Sequence, residues 1–320
     1  MTHLVREIVH HAIPGAAIRS ISRLPGGLSA ITHLVRLDDS PDLVVRRFEK
    51  SWHLSDGTAA TTEAHCLARL AGTPVRAPSL VWADPTGKQF GMGVVVASRM
   101  RGTGQARPQR GQWLDGIARE LVELHRLLPT DSDRATLYAD PGSQRTWLTQ
   151  PAPPEAGDLG RTIWPIVIEQ FSQYRPGPQR IVHGDYHPGN VLSERGKVTA
   201  VIDWEAAMLG PPAYDVGYCH MDLTLAHGPA VGDNFLEAYA RHAGGLPEYL
   251  RLFQLVAVVR ASTQLADWLP SWQAQGVQDL TLELLEQRLE RFATSTLRAE
   301  GDCRTTKDGN ELRLVRRWQI

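Results

Sequence analysis

Residues 181–192 read Ile181-Val182-His183-Gly184-Asp185-Tyr186-His187-Pro188-Gly189-Asn190-Val191-Leu192. Two apolar residues lead into a loop holding two glycines and a proline, and a second apolar pair leads out. Ser193 to Lys197 then turns around Gly196, Val198 to Ile202 reads as a strand, and that strand ends at Asp203-Trp204-Glu205. The segment is a strand, a loop and a strand hairpin. Asp185, Asn190 and Asp203 all fall at loop ends, where side chains can converge. Such a trio suits phosphoryl transfer, which needs a carboxylate to orient or deprotonate an attacking hydroxyl and hard oxygen ligands to hold Mg²⁺ against nucleotide phosphates. His183 and His187 have the spacing of a zinc pair. They lie on a Gly/Pro loop rather than a helix, with no obvious third ligand, so zinc is not the expected metal.

Upstream of this stretch the chain reads as short strands with one helix. Residues 17–24 and 31–37 alternate apolar and polar around Pro25-Gly26-Gly27-Leu28-Ser29, the pattern of a β-hairpin. Leu43 to Phe48 is a third strand, and Val75 to Trp82 and Phe90 to Met100 complete a small antiparallel sheet. Ala64, Leu67 and Ala68 recur at helical spacing, which predicts a helix over 61–70. Beyond Gly102 the pattern turns helical. Leu114, Ile117, Leu121, Leu124 and Leu128 share one face of a helix over 113–128, and helices also fit 163–174, 231–242, 248–268 and 277–299. Residues 129–160, rich in Pro, Gly, Asp and Ser, read as a long loop. Residues 181–218 read as a compact non-helical stretch. The tryptophans at 147, 164, 268 and 272 read as core.

Size and composition bound the function. A chain of 320 residues, 42% hydrophobic and 22% charged, is an ordinary globular protein. No stretch approaches about 20 consecutive apolar residues, so no membrane span is expected. The start, MTHLVREIVHHAIPGA, has no apolar core of a secretory leader. Cys66, Cys219 and Cys303 lie far apart and read as reduced thiols of a cytoplasmic protein. A formal net charge of -1 gives no reason to expect nucleic acid. That total hides an asymmetry: residues 1–107 hold 13 basic against 8 acidic residues, and residues 108–300 hold 16 against 24. An anion handled by the first part and a cation by the second would match it.

The sequence His183-Gly184-Asp185, with Asn190 five positions after the aspartate, followed by Ile202-Asp203-Trp204-Glu205, resembles the aminoglycoside phosphotransferase family. That family's fold is similar to the eukaryotic protein kinases. The resemblance covers roughly residues 20–295. It implies an α+β, two-lobed, protein-kinase-like fold: a small antiparallel β N-lobe with one helix over 1–102, a larger mainly helical C-lobe over 103–300, and a tail over 301–320. It also implies ATP or GTP as phosphoryl donor, Mg²⁺ and a small-molecule hydroxyl acceptor, in a monomer or homodimer.

Position by position, Asp185 resembles the catalytic base, with His183 buttressing it, and Asn190 and Asp203 resemble the metal ligands. Gly26, Gly27 and Ser29 resemble the phosphate-covering loop. Arg46 resembles the third-strand cation, where protein kinases carry lysine, and Glu63 resembles its helical partner. Backbone groups from Ala97 and Ser98 to Met100 resemble the linker that meets adenine, and Asp215 resembles a structural aspartate. The leading expectation for the acceptor is a cationic antibiotic of aminoglycoside type. The alternatives are a choline, homoserine or fructosamine type of metabolite, a macrolide, or a pseudokinase that only binds nucleotide.

Overall fold

The computed structural model describes residues 2–24, 30–48, 58–104, 112–138 and 151–298. The expected phosphate loop (Gly26, Gly27, Ser29) and the tail 301–320 lie outside the described residues.

Five antiparallel strands form the first sheet: β1 (Ile18–Arg23), β2 (Ile31–Leu37), β3 (Leu43–Phe48), β4 (Leu80–Asp84) and β5 (Gly93–Ser98), in the spatial order β1-β2-β3-β5-β4. Side chains alternate across a strand, and β5 shows the result. Val94 and Val96 join one apolar cluster, while Val95 and Ala97 join another on the opposite face. The first face is covered by α1 (Thr2–Ala12) through Val5, Ile8 and Val9. The second is covered by α2 (Thr58–Leu70) through Ala59, Ala60, Ala64 and Leu67. The N-terminal part thus carries two helices where one was expected. The same alternation in β3 turns Val45 toward α1, and Arg46 and Phe48 toward α2. That orientation places the one charged side chain of the pair where the site needs it.

The rest of the chain is mainly helical. Helices α3 (Gln112–Arg126), α4 (Asp131–Thr136), α5 (Gly157–Gln173), α6 (Ala213–His227), α7 (Pro229–Ala243), α8 (Leu250–Ser262), α9 (Leu265–Ala274) and α10 (Leu282–Arg298) surround the segment read first. In that segment β7 (Arg180–Val182) pairs with β10 (Met208–Gly210), and β6 (Thr103–Gly104) pairs with β8 (Val191–Glu194). Strand β8 also pairs with β9 (Lys197–Val201), in the expected hairpin.

Several expectations need correction. Helix α6 begins at Ala213, inside the stretch read as non-helical, because every residue from Ala213 to Ala226 is buried and no polar face marks its period. The single helix expected over 248–268 is two, α8 and α9. The break falls at Thr263, whose hydroxyl caps the Arg260 carbonyl at 2.9 Å. Helix α3 stops at Arg126, and Leu128 is exposed rather than packed on its face. The expected loop 129–160 contains α4 and the start of α5. Thr130 and Asp133 form a capping box at α4. The Asp133 carboxylate also accepts from His65 at 2.8 Å and Arg69 at 3.1 Å on α2, tying α2 to the helical part.

Candidate active site

Strand β7 delivers its last residues into the loop 183–187. Gly184 has φ +80°, and a Cβ there would lie 2.1 Å from the Ala206 carbonyl oxygen, so the close approach of the two loops requires glycine. Beneath the loop, Asp215 of α6 accepts from the His183 N–H at 2.7 Å and the Gly184 N–H at 2.9 Å, and faces His125 at 3.2 Å. This is the structural aspartate that was expected. His183 is fully buried. Its Nδ1 accepts from the Asp185 N–H at 3.3 Å, so Nε2 carries the proton and donates to Ile202 O at 2.9 Å. The ring joins the Asp185 loop to Ile202, which follows β9 and precedes Asp203.

Asn190 closes the same junction. Its side-chain nitrogen donates to Asp185 O at 2.9 Å and to Asp185 Oδ2 at 3.2 Å, and its main-chain carbonyl accepts from Ile202 N at 2.9 Å. Asp203 follows at once, in the left-handed region at φ 69°, ψ 61°. A non-glycine residue there costs about 1–3 kcal/mol, a strain typical of functional sites.

Arg46 reaches the junction from β3. It forms an ion pair with Glu63 at 2.8 Å and donates to Asp203 at 2.7 Å and Glu205 at 2.8 Å, and only 11% of its side chain is exposed. The pairing with Glu63 is as expected. Those with Asp203 and Glu205 are additional, and Glu205 was visible in the motif only as its fourth residue. Burial works against the Arg46 charge, but Asp203, Glu63 and Glu205 together outweigh it and raise the guanidinium above its ordinary value. Burial pushes the Glu63 carboxyl up to about 7 against the pull of Arg46. Carboxylate oxygens of Glu63, Asp203 and Glu205 lie within 4.8 Å of one another, around the guanidinium.

The other end of the site adds residues from outside the motif to His187 within it. Arg260 of α8 donates to Asp185 Oδ1 at 2.9 Å and to Gly184 O at 3.2 Å. Its guanidinium lies 4.6 Å from the Tyr218 ring centroid and 5.7 Å from that of Trp268. His187 Nε2 stands 3.6 Å from Asp185 Oδ2. Burial would raise the Asp185 carboxyl, but Arg260 and His187 hold it well below the usual carboxylate range. Burial lowers His187, and the nearby Asp185 carboxylate more than offsets this and raises it. Buried Asp222, bonded to Trp272 Nε1 at 3.0 Å, is pushed up to about 6.

Of the expected linker to adenine, Ala97 and Ser98 end β5. The Ser98 and Arg99 N–H groups are already bonded, to Ser79 O at 2.9 Å and Asp42 O at 2.8 Å. Ser98 Oγ accepts from Ser79 N at 2.9 Å and lies 3.8 Å from Met100 Sδ. No helix among the described residues is long and apolar enough to cross a membrane.

A five-stranded antiparallel sheet backed by α2, a helical lobe, and a hairpin that gathers Asp185, Asn190 and Asp203 together define the two-lobed, protein-kinase-like architecture. Residues 20–253 match the model of the phosphotransferase enzyme family (APH), and the chain belongs to that family. It is similar to the hygromycin-B 4-O-kinase of Escherichia coli, 46% identical over 41 residues, which are 13% of this chain and 12% of that protein. It superposes on the GDP and kanamycin complex of APH(2")-IIia with a TM-score of 0.63 at 16% identity, covering 93% of this chain and 99% of that one. With the macrolide 2'-phosphotransferase MphH of Brachybacterium faecium the TM-score is 0.61 at 18% identity, over 98% and 100% of the two chains.

Proposed function

We propose that the protein transfers the γ-phosphoryl group of ATP or GTP to a hydroxyl of a small molecule, and that this molecule is a cationic antibiotic of aminoglycoside type. The observation that carries the reaction is the junction itself. Asp185, Asn190 and the strand ending at Asp203 are joined by Asn190 Nδ2 to Asp185 at 2.9 and 3.2 Å and by Ile202 N to Asn190 O at 2.9 Å. The acceptor is supported by the local match to a hygromycin-B kinase and by the likeness to a fold solved with GDP and kanamycin. The acidic balance of residues 108–300 agrees with it.

In this reading residues 1–102 bind the nucleotide and residues 103–300 bind the acceptor. Asp185 accepts the hydrogen bond of the acceptor hydroxyl and holds its oxygen toward the phosphorus. Its carboxyl, kept low by Arg260 and His187, acts first by orientation, and takes the proton only as the new bond forms. Asn190 spends its amide nitrogen on Asp185, which leaves the amide oxygen for a cation. With the carboxylate of Asp203 it forms a hard-oxygen donor set that fits Mg²⁺. When bound, that ion neutralises charge on the phosphates. Arg46 grips the phosphates, aligned by Glu63, and leaves Asp203 as it does so.

The test is ADP release with Mg·ATP and Mg·GTP over a panel that includes hygromycin B, kanamycin, a macrolide, choline and homoserine. Turnover with an aminoglycoside supports the full reading. Turnover with another hydroxylated molecule keeps the reaction and moves the acceptor. Loss of no activity in Asp185→Asn contradicts the reaction.

A further inference from the structure

Arg260 is a cation placed directly on the carboxylate assigned to the acceptor hydroxyl. It reaches Asp185 Oδ1 at 2.9 Å with one nitrogen and Gly184 O at 3.2 Å with the other, so the fork grips both side chain and backbone of one loop. Tyr218 and Trp268 lie against its faces at 4.6 and 5.7 Å, and Trp272 extends the aromatic wall 6.1 Å beyond Trp268. A buried or interface guanidinium so gripped has little freedom to turn away. About a quarter of its side chain remains exposed, as does that of Asp185, so both are reachable by a ligand. The charged and titratable groups that face the pair are His183 and His187 on the loop, and Tyr214, Tyr218 and Asp222 on α6. Asp222 is bonded to Trp272 and is 4% exposed, so it offers no accessible counter-charge to an incoming cation.

The Asp185 carboxylate is already matched by Arg260 at 2.9 Å, so an ammonium group one or two bonds from the reacting hydroxyl would meet the guanidinium with no unmatched carboxylate to offset it, and like charges in a partly desolvated site cost free energy. We propose that Arg260 is a positioning and acceptor-selecting residue. It fixes the Asp185 carboxylate, and it admits a hydroxyl that stands beside a neutral or anionic group rather than beside an ammonium. The ammonium groups of an aminoglycoside then lie away from the phosphorylated hydroxyl. This rests on the reading of Asp185 given above.

The experiment uses the full chain and three small probes that differ in the charge beside shared hydroxyls: glycerol, D-glycerate and 3-amino-1,2-propanediol. Binding is followed by tryptophan fluorescence, because Trp268 lies against Arg260. Wild type should bind D-glycerate about fivefold more tightly than glycerol, the size of a partly exposed ion pair, and the amine most weakly. Arg260→Gln should collapse this order, and Arg260→Lys, which keeps the charge, should preserve it. In ADP release, Arg260→Gln should lower kcat about 10–100-fold with the KM for ATP unchanged, and Arg260→Lys should restore part of kcat. Indistinguishable or undetectable binding of all three probes, preference for the amine, or an order that survives in Arg260→Gln would overturn the proposal. Full turnover by Asp185→Asn would instead overturn the reaction beneath it.

Discussion

Two arginines, one from each lobe, hold the two aspartates on which the site depends, and they do so differently. Arg46 sits among three carboxylates and is almost sealed from solvent, while Arg260 grips a single carboxylate and lies on an aromatic wall with a quarter of its side chain exposed. The first cluster sets three carboxylates against one guanidinium, which suits the cation assigned there in the proposed reading. The second is balanced one against one, and so is built to present a fixed carboxylate. In the proposed reading, electrostatic surplus falls on the side assigned to phosphates and metal, and preorganisation on the side assigned to the hydroxyl.

Removing each arginine should separate these roles. Arg46→Met leaves Glu63, Asp203 and Glu205 facing one another without their cation, and should destabilise the protein by about 3–5 kcal/mol, the cost of stranding buried charge. Thermal unfolding checks it, and added Mg²⁺ should raise the Tm of this variant more than that of wild type. Equal Mg²⁺ effects would mean that the carboxylates relax apart instead. Arg260→Gln should cost only about 1 kcal/mol in the same measurement, since its partner keeps solvent and Asn190. A loss as large as that of Arg46→Met would make Arg260 a structural residue and erase the contrast. Glu205→Gln should have the smallest effect, within about 1 kcal/mol, because Arg46 keeps two carboxylates.

Asp133 provides a comparison free of catalysis. Burial would raise its carboxyl, but Thr130, His65 and Arg69 hold it at about 2. The folded value lies below the unfolded one of about 3.9. Its contribution to stability is therefore full above about pH 4 and is lost as pH falls toward 2. Asp133→Asn should flatten that acid limb in chemical denaturation while leaving the stability profile near neutrality parallel to wild type. An unchanged limb would show that the α2–α4 tie contributes nothing.

How much of this was legible depended on whether the signal was local. The loop from His183 to Asn190 and the end of β9 lie within about 20 residues, and their chemistry, order and turn residues could be read directly. Strand β2 was legible because His33, Val35 and Leu37 are buried while the residues between them are not, so a period of two survives in the sequence. Helix α6 was not, since burial all round removes the polar face that would reveal a period, whereas α8 was legible as a helix and only its break from α9 was not. Helix α1 carries Val5, Ile8 and Val9 at helical spacing, so its signal was present in the sequence although it is not among the expected elements. Thr130 and Asp133 announced a helix start inside a stretch read as loop. Arg260 had no local signal at all: it lies 75 positions from Asp185, on a helix most of whose other residues are buried.

The most direct measurement pairs Mg²⁺-dependent nucleotide binding with ADP release in Asp185→Asn and Asp203→Asn. The account predicts that Asp185→Asn binds Mg·ATP as wild type does and releases no ADP above background, while Asp203→Asn loses the Mg²⁺-dependent part of binding. Wild-type turnover in the first variant, or unchanged Mg²⁺ dependence in the second, would contradict it.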